Sequence, residues 1–162
     1  MVDIDIKKEL VEEGFQEMSE TVIEIRRISK KTKGGNQIRF SALVVVGDKK
    51  GKVGVGLAKA SDVRGAINKA FEAAKKRMIK VPLSGTTIPF GVSQKYSAAK
   101  ILLKPAPPGS GIIAGGAIRV VLDAAGVKDA VGKILGTKNK ISNVYATIEA
   151  LRTLADLVSK RS

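Results

Sequence analysis

Between Thr21 and Lys80 the spacing of apolar residues changes period once, and that change limits what this part of the chain can become. TVIEIRRIS alternates, with Val22, Glu24, Arg26 and Ile28 on one side and Ile23, Ile25 and Arg27 on the other, the period of a strand. After KTKGGN, IRFSALVVVGD reads as a second, long strand rich in β-branched residues. Asp48-Lys49-Lys50-Gly51 reads as a turn, and KVGVGLA as a short third strand. The period then becomes three and four in ASDVRGAINKAFEAAKKRMIKV, through Val63, Ala66, Ile67, Ala70, Phe71, Ala74 and Met78. Ser61 or Asp62 can cap this helix, Lys75, Lys76, Arg77 and Lys80 suit its C-terminal dipole, and Pro82 ends it. A β-β-β-α unit is therefore expected. Its central strand, Ile38 to Gly47, should bury one face against Val63, Ile67, Phe71 and Met78.

The segment PLSGTTIPFG, with two prolines and two glycines, is the expected boundary between two α/β units. Beyond it, VSQKY and AAKILLKPA read as two strands across a turn near Tyr96 to Ala98, and PPGSG is expected to break regular structure. GGAIRVVLDAAG carries Ile118, Val121, Leu122 and Ala125 on one helical stripe that Gly126 stops. VKDAVGKILG is either a strand or a short helix. A last helix over NVYATIEALRTLADLVSK should turn Val144, Ile148, Leu151, Leu154 or Ala155, and Val158 inward. The acidic residues 1–20 form either a short helix or an arm. The expected division is 1–20, 21–84 and 85–162.

Charge narrows the function. The net charge is +14 over 162 residues, yet residues 1–20 hold seven acids against two lysines, so the remainder carries +19. Such self-repulsion is relieved by a polyanion, and nucleic acid fits best. A membrane surface would call for a basic amphipathic helix with large apolar anchors, whereas here the cations are densest on a turn. The chain has no His and no Cys, which removes disulfides, thiolate metal sites and the commonest general base. The acids outside residues 1–20 are scattered and read as ordinary surface charge. No enzyme, metal or cofactor is expected. The start of the chain lacks the basic-then-apolar order of a secretory signal, so a cytoplasmic protein is expected.

RRISKKTKGGNQIRF, Arg26 to Phe40, is the densest basic stretch: six of its fifteen residues are cationic and none is acidic. Arg26, Arg27, Lys30, Lys31, Lys33 and Arg39 would repel one another unless phosphate neutralised them. Gly34 and Gly35 would let the backbone approach closely. The tip, Lys30 to Gly35, is expected to be a loop that orders on RNA. The bland reading is a solubilising hairpin. Gly51, Gly54 and Gly56 do not make a dinucleotide fingerprint, because Lys59 stands where a third glycine belongs. They mark a close backbone approach, with RNA one candidate for what approaches. Lys52, Gly54, Gly56 and Lys59 complete the candidate RNA-binding set. Gly109 to Gly116, GSGIIAGG, lacks the Gly-Lys-Ser/Thr ending of a P-loop. Its glycines serve either phosphate approach at the start of a helix, with Gly115, Gly116 and Arg119, or tight packing.

VIEIRRISKKTKGGNQIRFSALVVVGDKKGKVGVG, ILLKPAPPGSGIIAGGAIRVVLDAAGV and NVYATIEAL, in that order, resemble bacterial-type ribosomal small-subunit protein five over roughly residues 20–155. The resemblance implies a double-stranded-RNA-binding-like first domain. It implies a second, two-layer α/β domain similar to domain two of elongation factor G. It further implies binding to small-subunit (16S) rRNA, contacts with ribosomal proteins four and eight, and an influence on assembly and decoding accuracy. By the same resemblance Ser29, Lys30, Lys31, Thr32, Lys33, Gly34 and Gly35 match the loop where spectinomycin-resistance changes occur. Lys104, Pro105, Gly109 and Gly111 match the surface associated with protein four and accuracy. No small-molecule substrate is implied.

Overall fold

A computed structural model, described over residues 18–161, holds eight strands and three helices. The expectation for residues 1–20 lies almost wholly outside the described part. Strands β1 (Ser19–Thr32), β2 (Gly35–Gly47), β3 (Lys52–Ala60) and β4 (Ile79–Lys80) form an antiparallel sheet in sequence order, and α1 (Val63–Lys76) follows β3. The second half holds β5 (Val92–Tyr96), β6 (Ala99–Pro105), β7 (Ile112–Ile113), α2 (Gly116–Ala125), β8 (Ala130–Ile134) and α3 (Lys140–Arg161). Its sheet runs in the order β5-β6-β8-β7, antiparallel except for β7 beside β8. The architecture is α/β, with a β-sheet unit followed by an α/β unit.

Three local readings change. The helix expected to run to Pro82 ends at Lys76, because Ile79 and Lys80 pair with Val53 and Lys52 as strand β4. VKDAVGKILG resolves as a strand, because β8 pairs with β6 on one side and β7 on the other. PPGSG itself carries no strand or helix, as expected, but the short strand β7 just after it was not foreseen, because it needs β8 as a template.

The central strand explains how the halves combine. Ala42, Val44 and Val46 of β2 point to α1, while Leu43 and Val45 point the other way, into a cluster with Ile101, Leu103, Ile118 and Leu122 of the second half. Both faces of β2 are buried, so its core segment ALVVV is a continuous apolar run and does not alternate. Burying each large aliphatic side chain in such a cluster contributes about 1.5–3 kcal/mol.

The helix stripe expected over this strand is corrected. The buried residues of α1 are Ala66, Ala70 and Ala74. Ile67 and Phe71 lie only half-buried at the margin, Val63 is exposed, and Met78 falls beyond the helix end. Small residues win this face because β3 offers Gly54 and Gly56 opposite them. A Cβ at Gly56 would overlap the Ala70 carbonyl oxygen, and one at Gly54 that of Ala74. The helix backbone rests almost directly on the strand.

The halves meet as closely. A Cβ at Gly47 would overlap the Ala124 carbonyl of α2, and one at Gly126 the carbonyl of Lys49. The Lys49 N–H donates to the Ala124 carbonyl at 3.1 Å and the Gly51 N–H to Ala125 at 2.9 Å.

Gly56→Ala should therefore destabilise the protein by about 1–3 kcal/mol, the usual cost of overpacking. Gly34→Ala, where a Cβ meets nothing within 4 Å, should shift stability by no more than about 0.5 kcal/mol. Chemical denaturation followed by circular dichroism checks both, and equal effects would reject the close helix-on-strand contact.

Candidate nucleic-acid interface

The first two strands outrun their sheet. Pairing of β1 with β2 continues from Ser19↔Gly47 to Thr32↔Gly35, but β3 stops at Phe40↔Ala60. The five rungs from Ile28↔Arg39 to Thr32↔Gly35 thus form a free two-stranded ribbon, about 17 Å long at strand rise. The tip is a two-residue turn, Lys33-Gly34, followed by Gly35 at φ +125°, where a side chain would be strained. The loop expected at Lys30 to Gly35 is replaced by paired strand, because backbone ladder bonds reach to its last residues.

Register distributes the cations. Arg26, opposite Ser41, shares a cross-strand row with Lys59, and Arg39 falls on that same face. Arg27, opposite Phe40, and Lys31, opposite Asn36, fall on the other face. Lys33 sits at the turn. Apolar cover is thin here: Ile25 is 44% and Ile38 40% exposed. A two-stranded ribbon with no core on either side gains little from its own packing, so a partner that neutralises both faces would stabilise it. Arg26 is the exception. Its Nε makes an ion pair with Glu24 Oε1 at 3.0 Å, so the idea that every cation of this stretch lacks a protein partner is corrected.

Two other groups of candidates part company with the ribbon. Lys52 is exposed but lies opposite Lys80, seven residues along β3 from Lys59 and so roughly 23 Å away. Gly54 and Gly56 are buried beneath α1, so the close approach they mark is to protein, and they drop out of the RNA-facing set.

In the second half Lys104 and Pro105 end β6, exposed and paired with Val131 and Ala130. The following loop is organised by a residue that sequence reasoning passed over. Asp129 is only 4% exposed, and its Oδ1 accepts the Gly109 N–H at 3.1 Å and the Gly111 N–H at 2.8 Å. Both glycines have left-handed backbones, at φ +91° and +73°. Two backbone hydrogen bonds, at 2.9 Å each, carry the Lys128 and Asp129 N–H groups to the Thr86 carbonyl. Hydrogen bonding from the Thr86 side chain, then from the Gly111 and Gly109 amides, with help from the Lys128 charge, lowers the Asp129 pKa against the opposing effect of burial. Asp48 also departs from the surface-charge reading: it is buried, and its Oδ1 accepts the Lys50 and Lys52 N–H groups at 2.8 and 3.0 Å. Nothing in the local sequence marks Asp129, whose partners lie 18 and 20 residues away. Asp48 at the first position of a turn did carry a signal.

The choice left open for the Gly109 to Gly116 glycines divides by residue. A Cβ at Gly115 would press on Ile134 Cδ1 at 2.9 Å, a packing constraint, whereas Gly116 faces open space. Helix α2 begins without a side-chain cap or an acid in its first turn, and Arg119 is exposed one turn on. Gly116 also lines a cleft of about 560 Å³ with Thr21 and Val22 of β1 and with Lys138 and Lys140. The start of β1, at the end of the strand away from the ribbon, and the start of α2 are thereby brought together. Among the described residues no group of His, Cys, Asp and Glu could hold a metal ion, and no helix is long and apolar enough to cross a membrane.

Comparison with known families gives two matches. The family described as "Ribosomal protein S5, N-terminal domain" matches residues 18–82, and "Ribosomal protein S5, C-terminal domain" matches residues 94–159. These place the chain among the structural RNA-binding proteins of the ribosome, which are not enzymes. The chain belongs to the ribosomal protein S5 family, and the resemblance drawn from its quoted motifs is borne out.

The Asp129 clamp has a pH signature. A carboxyl whose pKa is lower folded than unfolded contributes stability above the unfolded value, 3.8, and loses it as pH falls through the folded value. Asp129→Asn, which keeps an acceptor but removes the charge, should lower the melting temperature at pH 7. The gap to wild type should narrow as pH falls below about 3.8. Melts from pH 7 to pH 3 test this, and a gap that stays constant would show that the charge contributes nothing.

Proposed function

We propose that this chain is a structural component of the small ribosomal subunit, holding 16S rRNA chiefly through the β1–β2 ribbon. The observation that carries the reading is the ribbon itself: strands projecting past their sheet with cations on both faces and little apolar cover. Such a ribbon suits a groove or a junction between RNA segments, where phosphates lie on both sides. Arg27, Lys30, Lys31, Lys33 and Arg39 neutralise phosphate, with Arg26 and Lys59 at the base and Lys52 at a separate point. Ser29 and Thr32 supply hydroxyls, and Gly34 and Gly35 keep the tip slender. Arg119, with the Gly115-Gly116 start of α2, forms a further phosphate approach.

The finer parts of the reading rest on family resemblance. The β-β-β-α half acts as a double-stranded-RNA-binding-like domain over 21–84, and 85–162 as a domain similar to domain two of elongation factor G, with 1–20 an acidic extension. The loop from Lys104 through Gly111 meets protein four and bears on accuracy, protein eight is a second neighbour, and the 29–35 tip lies near a spectinomycin site. The protein acts in the cytoplasm, in subunit assembly and decoding. A rigid loop suits a protein contact, and the Asp129 clamp supports that assignment.

Replacing Lys30, Lys31 and Lys33 by Gln should weaken rRNA binding and flatten the slope of log K against log salt by about 2–3. The melting temperature should hold or rise as repulsion is relieved. Titrations across a salt series test the ribbon, and an unchanged affinity and slope would return it to a solubilising hairpin. Sedimentation tests the wider reading: a subunit component stays with small subunits through a high-salt wash, whereas a free-standing RNA-binding or chaperone module is released.

A further inference from the structure

The second sheet covers only one of its faces. Ala99, Ile101 and Leu103 of β6 and Ala130 of β8 are buried on the side of α2 and α3. Tyr96 stacks on Tyr145 of α3 on that side, ring centroids 5.6 Å apart. By register the opposite face carries Lys95 across from Lys100, Lys133 across from Leu102, and Lys104 across from Val131, with Ile113 beside Val131 at the edge. All four lysines are exposed. No acid stands on any of these strands. The acids nearest in sequence are Asp123, on α2, and Asp129, buried under the Gly109–Gly111 loop.

This face is costly for the protein by itself. Lys95 and Lys100 are directly opposed like charges on adjacent strands, a pairing that destabilises a sheet. Among and beside the lysines lie the exposed Ser93, across from Leu102, and a few aliphatic side chains: Leu102 half-buried, Val131 37%, Leu135 49% and Ile113 59% exposed. That surface is too sparse in apolar area for a dry protein interface, and it has no aromatic ring on which a base could stack. Its charge is uniform in sign and spread over three neighbouring strands. It suits a run of phosphates with ribose edges over the aliphatic centre.

We propose that the open face of the second sheet is a second RNA-contacting surface, which grips the phosphodiester backbone of an rRNA segment distinct from that met by the ribbon. The proposal rests on the rRNA-binding reading above. Two basic surfaces, one on each half, would let one small protein hold two RNA segments at a set separation.

The test uses the full chain with Lys95, Lys100, Lys104 and Lys133 all replaced by Gln. A charge-matched control replaces Arg64, Lys69, Lys76 and Arg77, exposed cations of α1 and its end, by Gln. Binding to small-subunit rRNA is titrated across a potassium chloride series and mapped by hydroxyl-radical footprinting. The sheet variant should bind about ten-fold or more weakly, with its salt slope reduced by about 2–3. It should lose protections that the Lys30/Lys31/Lys33 variant keeps, while the α1 control keeps its footprint. Affinity, slope and footprint equal to wild type would overturn the proposal, as would an equal loss in the α1 control. Unchanged RNA binding with failure to enter subunits would also overturn it, and would assign the face to a protein partner. Wild-type protein that does not bind the rRNA at all would refute the underlying RNA-binding reading. A melting temperature at or above wild type confirms that the sheet variant is folded.

Discussion

Everything in this protein leans on the burial of β2 from both sides. Ala42, Val44 and Val46 are covered by a helix of the first half, while Leu43 and Val45 are covered by the second half. A strand clad on one face only would leave an alternating polar edge to water. This one has none over ALVVV, so each half completes the other's interior. Glycines make the contact close. Gly54 and Gly56 seat α1 on β3, and Gly47 and Gly126 seat the two halves against each other. With few aromatic rings to fill gaps, the chain reaches dense packing by bringing backbones together.

That economy explains what was legible in the sequence. Strands β5 and β6, the stop of α2 at Gly126 and the stripe of α3 through Val144, Ile148, Leu151 and Leu154 could all be read from local period and punctuation. The face of α1 could not. Volume alone favoured Ile67 and Phe71, and only the glycines facing it make Ala66, Ala70 and Ala74 the contact. Strand β7 was missed because two isoleucines carry no period, and their pairing depends on a strand seventeen residues further on.

The candidate interface divides in the same way. Net charge and the cluster at 26–39 announced a polyanion partner. Which glycines stay at the surface and which meet protein depends on contacts that no spacing encodes, so Gly34 remained at the tip while Gly54 and Gly56 went inside. Asp129 was hidden for a related reason: a carboxylate becomes an organising group only when distant amides converge on it. Glu24 was closer to view, two residues before Arg26 on the same strand face, where opposite charges can meet.

The amides of Lys49 and Gly51 have a further meaning for how the molecule assembles. They cap the last carbonyls of α2, groups that every helix leaves without an internal partner. The second half's helix is thus finished by a turn of the first. That turn is made some seventy residues earlier in synthesis, so the acceptor end of α2 emerges into a chain that already holds its donors. Each half thus supplies what the other's backbone leaves unpaired, so the seam is closed by hydrogen bonds as well as by packing.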